Sequence, residues 1–153
     1  MLVNCSAFKE YADQIAEIAK NSFSDPWSYE SFISLAENGE DYVRFFIEKD
    51  AAGSVAGYLV FSITSDEAEI LDIAVRADKR GSGIGKRLIF EAFDYGADNG
   101  VSAVYLEVRE SNSPAIALYE KTGFVPCGRR KQYYEKPVED AIIMKKERRS
   151  NEY

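Results

Sequence analysis

Ile73-Ala74-Val75-Arg76-Ala77-Asp78-Lys79-Arg80-Gly81-Ser82-Gly83-Ile84-Gly85-Lys86-Arg87-Leu88 passes from an apolar strand, through a glycine-rich turn, into an amphipathic helix. Glycines let backbone N–H groups approach a ligand closely, and a helix N-terminus carries partial positive charge. Together they suit a pyrophosphate. Two common phosphate loops do not fit. The P-loop pattern fails because Arg87 follows Gly85-Lys86 and Arg80 stands where its first glycine belongs. The dinucleotide pattern G-x-G-x-x-G fails because Gly81, Gly83 and Gly85 are spaced by two throughout. A ligand-free turn is the alternative reading of the same residues.

Working outward, Ile84, Leu88, Ile89, Ala92, Phe93 and Ala97 share one helix face up to Asn99-Gly100. Upstream, segments 42–48, 55–63 and 67–75 read as strands joined by turns at 50–53 and 64–66. Residues 2–7 read as a first short strand. Tyr11, Ile15, Ile18 and Ala19 give an amphipathic helix over 8–23, broken at Ser24-Asp25-Pro26. Ser28 caps a second helix through about Glu37. Downstream, 103–108 is a strand, and Ser113 caps a helix with Pro114 at its first position and Gly123 as its stop. Strands at 124–134 and 141–146 follow. The order β-α-α-β-β-β-α-β-α-β-β predicts an α/β fold, a mixed sheet with helices on its faces. One domain over 1–146 and a charged, frayed tail over 147–153 complete the expectation.

Composition narrows the function. The chain has 153 residues and 46% hydrophobic content, enough for one core. A net charge of −7 argues against nucleic acid as the main partner and favours a cationic one. There is no histidine, so acid–base work falls to carboxylates, Tyr, Lys or Cys. Cys5 and Cys127 stand far apart, which is neither a disulfide framework nor a metal pattern; no metal is expected. No apolar signal region follows Met1 and no run approaches the ~20 residues of a membrane span, which points to a cytoplasmic protein with no membrane partner.

Arg80, Gly83 and Gly85, in the spacing Arg-x-x-Gly-x-Gly, resemble the acetyl-CoA loop of the GNAT superfamily of N-acetyltransferases. Segment 106–124 opens Leu106-Glu107-Val108-Arg109 and closes Lys121-Thr122-Gly123-Phe124; it resembles the later GNAT motif. Arg129-Arg130-Lys131-Gln132-Tyr133-Tyr134 and Glu139-Asp140-Ala141-Ile142-Ile143-Met144 narrow the resemblance to the RimI family, which acetylates the N-terminal amine of a small-subunit ribosomal protein. Asp25-Pro26-Trp27-Ser28 looks like that family's substrate-side loop. The resemblance implies a GNAT fold, a mostly antiparallel sheet flanked by about four helices, with acetyl-CoA as co-substrate. It implies that Ile73, Ala74 and Val75 offer backbone groups along the pantetheine. Arg80, Gly81, Ser82, Gly83, Ile84, Gly85 and Lys86 hold the pyrophosphate, and Asn112 reaches coenzyme A. Glu107 matches the general base and Tyr119 the general acid. The implied partner is a basic N-terminal segment of a ribosomal protein, beginning with Ala. Arg80-Gly81-Ser82 departs from the Gln-Arg-Gln-like or Arg-Arg-Gln-like run of many relatives and loses one basic side chain, for which Lys79, Lys86 and Arg87 are placed to compensate.

Elementary chemistry agrees. An N-terminal ammonium has pKa ~7.7–8.0 and is partly neutral at pH 7, whereas lysine at ~10.4 is almost wholly charged. A carboxylate base and a phenol acid suffice for the first. Plainer roles compete at each position. Glu107 has the alternative of an ion pair with Arg109 or Lys121, Tyr119 of core packing, and Asn112 of a loop or cap residue. Trp27 and Phe32 read equally as core or substrate wall, and Arg129-Arg130-Lys131 reads as a solvated strand end. Acetylation of a small amine or a lysine, and a non-catalytic acyl-CoA-binding module, are the competing functions.

Overall fold

In a computed structural model, residues 1–148 are described. Seven strands form one sheet in the order β1-β2-β3-β4-β5-β7-β6. They are β1 (Leu2–Val3), β2 (Val43–Lys49), β3 (Val55–Thr64), β4 (Glu67–Val75), β5 (Ala103–Arg109), β6 (Val125–Tyr134) and β7 (Glu139–Glu147). Five helices accompany them: α1 (Cys5–Phe8), α2 (Ala12–Ser22), α3 (Tyr29–Asn38), α4 (Ile84–Asp98) and α5 (Ser113–Lys121), with a 3-10 turn at Ala77–Lys79. The expected mixed, mostly antiparallel sheet is therefore present, with five helices among the described residues where about four were expected. Of the segment 147–153 read as a tail, Glu147 ends β7, and residues 149–153 lie outside the described part.

The differences from the sequence reading are local. Residues 2–7 are not one strand: after Val3 the Asn4 carboxamide accepts the Ala7 N–H at 2.7 Å and starts α1. That is the ordinary preference of Asn for an N-cap. Ser28 caps α3 as expected, accepting from Ser31 N–H at 3.1 Å. For α5 the cap is Asn112, not Ser113; its side chain accepts the Ala115 N–H at 3.3 Å.

Alternation along the strands sends side chains to two cores. Phe61, Ile70, Leu106 and Val108 pack under α4 and α5 with Leu88, Ile89 and Phe93. Phe45, Tyr58 and Val60 pack under α1–α3 with Phe8, Ile15 and Phe32. Each such large side chain contributes roughly 1.5–3 kcal/mol of burial.

Among the described strands only β4 and β5 run parallel, joined by the crossover through α4, and they pair over a short length, from Glu67↔Ala103 to Ile70↔Leu106. β4 continues for Leu71–Val75 and β5 for Glu107–Arg109 with no pairing between them. The cause lies in β4: its register on β3 jumps from Ile70↔Phe61 to Asp72↔Val60, leaving Leu71 as a bulge. A bulge bends its strand, and here the two parallel strands part into a V.

Candidate functional site

The V opens a cleft of about 410 Å³ lined by β4 (Ile70, Leu71, Asp72, Ile73), β5 (Leu106, Glu107, Val108, Arg109), Asn112, Tyr119, the 23–27 loop and Tyr133-Tyr134. Beyond Ile70 the β4 backbone has β3 on one side, with Leu59↔Ile73, Tyr58↔Ala74 and Gly57↔Val75, and no strand on the other. Ile73, Ala74 and Val75 therefore sit on a sheet edge facing the gap. Such an edge offers N–H and C=O groups to an extended ligand.

β4 leads into the glycine turn and α4. Gly83 is the N-cap at φ +85°, and no side chain caps the helix. α3 and α5, by contrast, are capped by Ser28 and Asn112. The first-turn amides of an α-helix have no intrahelical acceptor, so those of α4 are open to an anion. Gly81 also has positive φ, at +80°, with open space where a Cβ would stand, so its glycine serves the backbone conformation. Arg80 is folded back: its guanidinium donates to Val75 C=O and to Ser22 Oγ, each at 3.0 Å. Ser82 Oγ donates to Lys79 C=O. Ile84 is in the core, and a Cβ at Gly85 would come within 3.1 Å of Leu118, so Gly85 lets α4 and α5 close on each other. Lys86 reaches over the exposed Phe90 ring. Asn112 lines the cleft, and the cap uses its carboxamide oxygen, leaving the Nδ2 donors.

Val104, Leu106 and Val108 face the α4–α5 core, so Glu107 and Arg109 project to the other face. Glu107 pairs with Arg130, Nε to Oε1 at 2.9 Å, rather than with Arg109 or Lys121. Arg109 instead pairs with Glu139 at 3.3 Å and lies 4.6 Å from the centre of the Tyr134 ring. The Tyr133 hydroxyl donates to Glu107; burial, then the Glu107 charge, pushes that phenol up. Arg130 is a solvated strand end, as expected, whose guanidinium also pairs with the cleft carboxylate.

Tyr119 reaches the cleft from the α5 side. It is 6% exposed and packs edge-on against Phe124 at 5.8 Å. Burial, then the Asp72 charge, raises its phenol well above the ordinary range. Asp72 was not a residue the sequence singled out. Tyr58 donates its hydroxyl to Asp72 Oδ2 at 2.7 Å, and the Ile73 N–H donates to Oδ1 at 3.1 Å. Burial pushes the Asp72 carboxyl up to about 6, with those two donors opposing.

The outer wall is aromatic. Tyr133 and Tyr134 stack at 5.0 Å, carried by an irregular stretch of β6 in which Gln132 adopts φ +51° and its N–H is held by Asp140. Trp27 lines the cleft and packs on Phe32, which is fully buried; of the two, Trp27 is wall and Phe32 is core. Lys136, from the β6–β7 loop, reaches Asp25 at 3.7 Å across the mouth. Among the described residues, no group of three or more His, Cys, Asp or Glu side chains is placed to hold a metal ion. None of the described helices is long and apolar enough to cross a membrane.

Comparison with known proteins identifies relatives of the whole chain. The model of the acetyltransferase (GNAT) family matches residues 12–124. A Bacillus subtilis protein provisionally named [ribosomal protein bS18]-alanine N-acetyltransferase is 41% identical over 137 residues, 88% of each chain. The Escherichia coli [ribosomal protein bS18]-alanine N-acetyltransferase is 37% identical over 83% of this chain and 84% of its own. A crystal structure of the ribosomal-protein-S18-alanine N-acetyltransferase from Escherichia coli superposes with a TM-score of 0.80 at 33% identity, covering 100% of this chain and 98% of that one.

Proposed function

This chain belongs to the GNAT acetyltransferase family, and from that premise we propose that it moves the acetyl group of acetyl-CoA onto the N-terminal amine of a ribosomal protein, an Ala-initiated, basic segment. One observation carries the reading. A single cleft, opened where β4 and β5 part, is lined by both Glu107 and Tyr119 and flanked by the unpaired edge of β4. Acetyl-CoA supplies the acetyl group as a thioester. The β4 edge at Ile73, Ala74 and Val75 takes the pantetheine, and the uncapped turn from Arg80 to Lys86 takes the pyrophosphate. Asn112 donates from the far wall.

Glu107 accepts the proton of the amine, directly or through a water, as the nitrogen attacks the thioester carbonyl. The carbon–sulfur bond breaks, and Tyr119 gives its proton to the leaving thiolate. Arg130 and Tyr133 hold the Glu107 carboxylate in place for this work. A peptide is favoured over a small amine by a second groove, of about 310 Å³, that shares Glu107 and continues past Glu69 and Glu67. Extended, positively charged substrate finds space and opposite charge there.

The test is incubation of a basic, Ala-initiated peptide with acetyl-CoA and enzyme, with fragmentation mass spectrometry locating the acetyl group. Acetyl on the α-amine is the expected result. Acetyl confined to lysine side chains, or to small amines offered in competition, would replace this reading.

A further inference from the structure

We propose that Asp72 is the anchor for the incoming ammonium, the side chain that holds the acceptor amine in its charged form before Glu107 takes the proton. The inference rests on the reading that an N-terminal amine enters this cleft. Four charged side chains line the cleft: Asp25, Asp72, Glu107 and Arg109. Three have partners of opposite charge, Lys136 for Asp25, Arg130 for Glu107 and Glu139 for Arg109. Among the described residues, no lysine or arginine pairs with Asp72. Its oxygens accept only from neutral donors, the Tyr58 hydroxyl and the Ile73 N–H.

The placement is built into the strand. The Leu71 bulge sets Asp72 opposite Val60, on the face that Val60 shares with Tyr58, and so turns it to the side of the sheet that Glu107 also faces. Tyr58 fixes the carboxylate's orientation. A carboxylate offers about four acceptor positions, and the two bonds present leave the others for a ligand. A desolvated anion without a counter-ion is costly. Burial accordingly displaces the Asp72 carboxyl upward. A ligand ammonium, with its hydrogens and its charge, supplies what the site lacks; a hydroxyl or a neutral amide does not. The groups facing Asp72 are Tyr58 from β3 and Tyr119 from α5. Asp25, Glu107, Arg109, Tyr133 and Tyr134 share the cleft. Arg109, the cation among them, is already engaged by Glu139 and by the carbonyls of Glu135 and Pro137.

The experiment compares binding of two probes by calorimetry in saturating coenzyme A: a basic, Ala-initiated peptide, and the same peptide with propionyl in place of alanyl, which lacks only the amine. The wild-type protein at pH 7 is expected to bind the amino peptide at least ~10-fold more tightly. Asp72→Asn, which keeps an acceptor for Tyr58, should bring the ratio to within about two-fold. In the wild type the ratio should fall as pH drops through about 6, where Asp72 takes a proton. A folded Asp72→Asn protein that keeps the wild-type ratio overturns the proposal. Should that variant not fold, a wild-type ratio unchanged from pH 7 to pH 5 overturns it. Equal binding of both probes by the wild type also overturns it while leaving the peptide reading in place. Binding of neither overturns both.

Discussion

Tyr119 sits in the seam between α5 and the sheet, where burial and then the neighbouring Asp72 charge keep its phenol protonated across the working pH range. It therefore always has a proton to give. Tyr119→Phe keeps the ring against Phe124 and removes only that proton. The expected result is a kcat lower by about 10–10³-fold, with acetyl-CoA affinity nearly unchanged, measured by steady-state kinetics and calorimetry. Normal turnover would make Tyr119 a packing residue. For Glu107→Gln the defect should be largest at low pH, where the amine is protonated and needs a base, and should shrink towards pH ~9. A ratio of wild-type to variant kcat/KM flat from pH ~6.5 to ~9 would remove Glu107 from the base's role. Asp72 makes a separate stability prediction. Its carboxyl is raised from 3.8 to about 6, so its folded-state protonation stabilises the protein fully below the lower value, and that stabilisation is lost as pH rises through the upper one. Asp72→Asn should therefore stabilise the fold above pH 6 by up to roughly 3 kcal/mol, the gain fading towards pH 4 in denaturant titrations. No gain at pH 7 would mean that Asp72 is solvated rather than buried. Glu107, Tyr119 and Asn112 were legible because they fall in one quotable motif. Asp72, Arg130 and Tyr58 were not, because their meeting depends on how β3, β4 and β6 register against one another.

The β4–turn–α4 unit is legible in the sequence, since hydrophobic spacing there switches cleanly from a strand's period to a helix's and glycines mark the join. The element's special property lies in its cap. Gly83 holds a left-handed conformation that few side chains adopt, and it leaves the first turn of α4 without a side-chain acceptor. Gly83→Asp would place a carboxylate over those amides, add backbone strain, and crowd Arg87, which lies 3.1 Å from where the Cβ would stand. Calorimetry should show acetyl-CoA affinity lost by at least ~100-fold; an unchanged affinity would put the pyrophosphate elsewhere. Other helix ends differ from expectation for a common reason. Asn and Ser are both good caps, so Asn112-Ser113 is ambiguous from sequence, and Asn4 stands inside an otherwise strand-like run that hides its capping role. The bulge at Leu71 and the irregular stretch at 131–133 carry no local signal, because a bulge is a mismatch between two strands distant in sequence.

At the scale of the whole molecule, the seven-stranded sheet has one parallel pair, and that pair separates halfway along. The cleft is a consequence of that parting. β4 brings the edge and Asp72, β5 brings Glu107, α5 brings Tyr119 through the gap, and the β6–β7 hairpin closes the outer side with Tyr133 and Tyr134. The alternating order of elements foretold a mixed sheet with helices on both faces. It did not foretell the split, which arises where the register of β4 on β3 slips. The central claim is that acetyl transfer to an N-terminal amine takes place in this split. Its most direct test is a crystal structure with coenzyme A joined through its sulfur, by an acetyl bridge, to the amine of an Ala-initiated basic peptide. The sulfur is expected within hydrogen-bond reach of the Tyr119 hydroxyl, about 3–4 Å, with the former amine nitrogen on the side of Glu107 and Asp72 and the peptide continuing towards Glu69. A conjugate lying outside the β4–β5 gap, or with its sulfur turned away from Tyr119, would contradict it.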